Sequence, residues 1–231
     1  MLNRLQASLI RHRYKLAIFF LLAGASVICV ILVAARIAYS DSGRYVGLVW
    51  NLFLAWIPFV LAYTAYILSW RRALLILVIP ITTILWLLFF PNAPYILTDL
   101  QHLAQESSNT PLWYDVIMLV WFSWTGLLLG LVSLYLMHEI VHRALGRIAG
   151  WVFVFAVSGL SSFGVYLGRF VRFNSWDILQ GPQEIAVSIL GMVIDPSRRL
   201  VAFTFLFTLF YLFVYLTLYS FGHLLQEKGN S

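Results

Sequence analysis

Residues Phe89 to His102 read FFPNAPYILTDLQH, a proline-rich polar stretch set in an otherwise oily chain. The residues before it come as long apolar runs, not at amphipathic spacing, and a second polar block, YLGRFVRFNSWD from Tyr166 to Asp177, follows much later. Proline at Pro94 opens a helix with Asn92 or Ala93 as its cap. At 3.6 residues per turn Tyr95, Asp99, His102 and Glu106 then form one stripe, with Ile96, Leu97, Leu100 and Leu103 opposite. That pattern describes a short helix lying at a membrane interface, its oily half against lipid or protein and its polar stripe facing either water or a pocket.

Working outward, 62% of the 231 residues are hydrophobic and 10% charged, a balance suited to lipid as solvent. A span needs about 20 apolar residues, and six runs meet the need, at 16–38, 46–69, 73–90, 116–137, 150–170 and 200–222. The expected fold is therefore an all-α integral membrane protein, a single polytopic domain of six spans with one or two short interfacial helices on the extracytoplasmic side. The connecting loops leave no room for a soluble domain. The one cysteine, Cys29, sits inside the first run, so it forms no disulfide within the chain. That run is too long for the core of a signal peptide and is read as a retained helix.

The charges set an orientation. Placing both termini in the cytoplasm puts nine Lys and Arg inside and six outside, as membrane insertion favours. The net charge of +6 is then a matter of topology, with membrane lipids as the expected partners and nucleic acid excluded. Arg36 and Arg169, both at helix ends, are the charges within the spans, which leaves a proton or ion relay without its usual parts.

On the outer face the candidate groups gather at one depth. Asp99 and His102 are the candidate acid and base. Asn92, Tyr95, Asp115, Asn174 and Asp177 are candidate positioning groups. Arg169 and Arg172, one helical turn apart, are the source of positive charge for a small or lipid-linked anionic ligand. Each has a plainer reading: arginines reach to head groups, Asn174 and Asp177 cap a helix, and Trp113, Tyr114 and Trp176 belong to an interfacial aromatic belt. Gly126 and Gly130, and again Gly164 and Gly168, form small-xxx-small surfaces for close packing that bring Arg169 near Asp99 and Asp115.

The segments FPNAPYILTDL (Phe90 to Leu100) and YLGRFVRFNSWD, with Trp113-Tyr114-Asp115 as a weaker third match, resemble a bacterial membrane family catalogued as domain of unknown function 1361. The likeness runs from the second span onward. It implies a similar multi-pass fold in the bacterial inner membrane and carries over no catalytic role.

A rival motif lies at the other end. His138-Glu139-Ile-Val-His142 matches H-E-x-x-H, which sets two imidazoles on one helix face for zinc with Glu139 as base, the signature of a membrane metallopeptidase. Arg143 directly after it and the want of a third ligand on that side argue for a solvated helix end instead. The leading reading requires no cofactor. A purely structural protein, whose outer motifs only lock helices together, is the third.

Overall fold

The computed structural model describes residues 2–69, 78–104, 110–173 and 181–227. Among them the chain is helical, running as α1 (Leu2–Ser40), α2 (Val46–Leu68), α3 (Val78–Phe89), a single turn α4 (Asn92–Tyr95), a 3₁₀ stretch (Ile96–Ala104), α5 (Leu112–Leu145), α6 (Arg147–Tyr166), a π turn (Leu167–Val171), α7 (Pro182–Ile194) and α8 (Arg198–Glu227). Six helical segments are long and apolar enough to cross a membrane: Ala17–Ser40, Val46–Leu68, Pro80–Leu103, Leu112–Leu145, Arg147–Val171 and Arg198–Gly222. α7 is a shorter apolar helix.

α5 is the axis of the bundle. Of its most apolar window, 61% is buried inside the protein, against 17% for α1 and for α8, which present most of their surface outward. Phe122, Leu127, Leu129 and Leu134 on α5 are almost wholly enclosed. One core joins α1, α2 and α5 around Cys29, Leu52 and Met118, and the other joins α2, α3, α5, α6 and α8 around Trp86, Phe90 and Tyr211. Gly146 takes φ 93°, a left-handed conformation that glycine adopts freely, and its N–H caps the His142 carbonyl. α5 therefore stops sharply and α6 starts at once.

The sequence ends the third apolar run at Phe90, yet the helical path continues through Leu103. Phe90 N–H still reaches the Trp86 carbonyl at 2.7 Å and Tyr95 N–H the Pro91 carbonyl at 3.0 Å. The backbone thus keeps its hydrogen bonds through a proline-rich turn, as any segment shielded from water must.

The four glycines explain where this segment rests. A Cβ on Gly126 would lie 2.8 Å from Ile96 Cδ1 and 2.9 Å from the Ala93 carbonyl oxygen, and one on Gly130 3.1 Å from Ala93 Cβ. On α6 and the π turn, a Cβ on Gly164 would lie 2.7 Å from the Pro91 ring and one on Gly168 3.2 Å from the Tyr95 ring. The small-residue faces of α5 and α6 therefore seat the FPNAPYI segment between them. Gly126→Val is expected to lower thermal stability in detergent by about 1–3 kcal/mol or more, because the Ala93 carbonyl is backbone and has nowhere to retreat. Gly24→Val on α1, where nothing stands within 4 Å of the added carbon, is the control.

Candidate functional site

Three elements meet at one end of the bundle. α2 brings Asn51, the 3₁₀ stretch brings Thr98, Asp99 and His102, and the π turn brings Arg169. A 3₁₀ helix repeats every three residues, so positions i and i+3 eclipse. Ile96 and Asp99 thus share one column, both buried.

Asp99 is 2% exposed and is held from two sides. Arg169 Nη2 donates a close charge-assisted bond to Oδ1, and Asn51 Nδ2 donates to Oδ2 at 3.0 Å. Arg169 Nε donates to the Thr98 hydroxyl at 2.8 Å, which itself donates to the Tyr95 carbonyl at 2.6 Å. The guanidinium lies 4.2 Å above the Tyr95 ring. Each buried charge therefore has an opposite charge and hydrogen bonds around it, the condition under which burial is tolerated. His102 Nε2 stands 3.6 Å from Asp99 Oδ1 with its side chain 35% exposed, and Arg44 Nη2 donates to the His102 carbonyl at 3.3 Å.

Asp115, grouped with Asp99 in the sequence, belongs to a different pair. Arg36 near the end of α1 grips it through Nε at 2.7 Å and Nη2 at 3.2 Å, and both residues are buried. The same guanidinium lies 4.4 Å over the Tyr45 ring. Burial, and then the Asp115 charge, push the Tyr45 phenol above its ordinary value, so it stays neutral. Tyr114 adds a hydroxyl bond to the Leu32 carbonyl at 2.8 Å. These contacts fasten α1 to the start of α5. Sequence reasoning missed Arg36 as a partner, although a cation inside an apolar run is the signal that a carboxylate lies close by.

Arg172 parts company with Arg169. The π turn adds a residue to the helical cycle, and the chain then leaves it through Arg172 at φ 66°, left-handed and exposed. The Arg169 side chain is 8% exposed and Arg172 is exposed, so the two differ in burial. Asn174 and Asp177 lie outside the described residues.

Beside the ion pair opens a groove of about 730 Å³ between α2, α3, α6 and α7. Leu54, Ile84, Leu87, Phe163 and Ile189 make its apolar sides, and Asn51, Asn92 and Tyr95 are its polar lining. Asn92 also donates to the Phe89 carbonyl at 2.9 Å, closing the turn.

At the opposite end His138 points into the protein. Its Nδ1 pairs with the Tyr215 hydroxyl at 2.7 Å, and its ring lies 4.8 Å from Trp151. A Cβ on Gly150 would meet His138 Nε2 at 2.9 Å, so that nitrogen abuts α6. His142 is exposed, and Glu139 pairs with Arg143 at 3.4 Å. Among the described residues no three His, Cys, Asp or Glu side chains gather to hold a metal. His138 is buried with Nδ1 engaged by Tyr215 and Nε2 facing α6, and the donor set is short, so these residues do not fit a zinc centre.

No curated protein and no solved structure matches the chain. A family match covers residues 50–214, which includes both polar segments, the groove and the Asp99–Arg169 pair. The chain belongs to the family described as Protein of unknown function (DUF1361).

Proposed function

We propose that this protein binds an amphiphilic molecule at the extracytoplasmic end of the bundle, its apolar chain in the groove and its polar end against Asn51, Asn92 and Tyr95. The single observation that carries the reading is the groove itself, about 730 Å³ and walled by the family's polar segment. That volume lies in the range of small-molecule sites, which are mostly apolar with a few placed polar groups. In this reading Asp99 and Arg169 hold the wall in place and Arg172 stands at the rim. Nine basic residues against six support cytoplasmic termini in the bacterial inner membrane.

α7 supports the reading too. Ile185 and Ile189 line the groove, while Val187, Leu190, Val193 and Ile194 are exposed. Beyond its polar first turn α7 is apolar on both the groove side and the outward side, as suits a helix in lipid or against an apolar ligand.

A lipid-modifying reaction is the second reading, favoured by one geometry. The half-exposed His102 imidazole stands 3.6 Å from the buried Asp99 carboxylate, an imidazole beside a carboxylate that a bound substrate could draw on as a general base.

Native mass spectrometry of purified protein tests the binding. The parent is expected to retain a lipid through detergent exchange, and Ile84→Trp, which fills the groove from a position 68% exposed, is expected to cut occupancy by roughly tenfold. Equal occupancy in parent and variant, or none in the parent, overturns the reading. His102→Ala separates the two: unchanged occupancy with altered lipid composition in cells points to chemistry, and unchanged composition to binding alone.

A further inference from the structure

Two polar groups around the Arg169 end of the groove have no hydrogen-bond partner among the described residues: the Tyr95 hydroxyl and the Arg172 guanidinium. Tyr95 lines the groove. Its ring is fixed from behind by the Arg169 guanidinium at 4.2 Å and pressed by Gly168, so its hydroxyl is a positioned donor without an acceptor. Arg172 immediately precedes Phe173 and follows Gly168 by one turn, and both of those residues line the same groove.

The backbone at Arg172 is also informative. Its φ of 66° and ψ of 30° lie in the left-handed region, where asparagine and glycine are the favoured occupants and arginine is uncommon. The turn spends that conformation on a long cation at the groove's edge. Asp99 neutralises Arg169, so the charge of Arg172 is not spent on that pair. A guanidinium fork matches phosphate oxygens in pairs, and a phenol donates to a third.

We propose that the groove's ligand is a phosphate ester of a lipid, with its chain between α3 and α6 and its phosphate held by Arg172 and the Tyr95 hydroxyl. This rests on the groove reading and narrows it to a ligand class. Carbonyl and hydroxyl head groups offer Arg172 no charge, and a free phosphate leaves the apolar sides unused.

The test compares phosphatidic acid with diacylglycerol of identical acyl chains, each titrated onto the purified protein in neutral-lipid nanodiscs. The parent is expected to favour phosphatidic acid by about five- to tenfold. Arg172→Asn, which keeps a residue suited to the left-handed turn, is expected to remove the preference while diacylglycerol binding stays level. Tyr95→Phe is expected to reduce the preference in part.

Equal binding of the two lipids by the parent, or an undiminished preference in Arg172→Asn, overturns the phosphate assignment and leaves the groove standing. Failure of both lipids to bind overturns the groove reading with it. Inorganic phosphate forms a third arm: if it alone raises the melting temperature of the parent and not of Arg172→Asn, the site takes a soluble anion and the lipid assignment falls.

Discussion

Replacing Asp99 with alanine is expected to lower the unfolding free energy by about 3–5 kcal/mol, the cost of stranding a buried charge. The stranded group is Arg169, whose side chain is 8% exposed. Asn51 loses its acceptor at the same time, and the Thr98 hydroxyl is left to satisfy the guanidinium. An unfolding titration in mixed micelles reads the loss directly. The Glu139–Arg143 pair supplies the comparison. Its side chains are 34% and 30% exposed, so Glu139→Gln is expected to change stability by less than about 1 kcal/mol. A destabilised Asp99→Ala protein is expected whether or not the groove holds a ligand, because the pair fastens the wall. Occupancy, and not stability, therefore distinguishes a binding protein from a purely structural one.

The second large effect is expected at Arg36. Arg36→Leu leaves Asp115, 1% exposed, without its bidentate partner and should cost about 3–5 kcal/mol. The consequence is local, because this pair joins α1 to α5. Cys29 reports it: the thiol is 0% exposed and packs 3.7 Å from the Thr125 hydroxyl across the same interface. A membrane-permeant maleimide should leave Cys29 unmodified in the parent and label it in Arg36→Leu. The double variant Arg36→Leu/Asp115→Leu should regain stability to within about 1 kcal/mol of the parent, since an apolar pair avoids both desolvation penalties. Continued labelling of Cys29 in that double variant would show that α1 docks through the ion pair and not through apolar packing.

The spans and the family were legible from composition and from the two polar segments, because hydrocarbon demands long apolar runs and leaves few alternatives. Near-neighbour geometry was legible too: glycines spaced by four marked surfaces of close approach. What they approach was not legible. Helix periodicity describes which residues share a face, but it does not say that the face will receive a proline turn instead of a second helix. The same limit governs the charges. Spacing put Arg169 and Arg172 one turn apart, but it did not say that the first would be buried on Asp99 while the second, past a π turn, stays exposed, since a π turn leaves no mark in hydropathy. Arg36 and Asp115 are 79 residues apart, and their pairing follows from how α1 packs on α5, a tertiary fact. The H-E-x-x-H match shows the opposite hazard. Its spacing suits a metal, yet Gly150 lets α6 approach so closely that His138 becomes an aromatic-packed core residue.

One polar segment of the family clamps the other through Asp99 and Arg169. A double-mutant cycle of Asp99→Ala and Arg169→Ala, read by unfolding in mixed micelles, tests it most directly. A coupling energy of about 1.5–3 kcal/mol is predicted, with the double variant well short of the summed single losses. Additivity to within about 0.5 kcal/mol would contradict it, because two residues that hold each other cannot be lost independently.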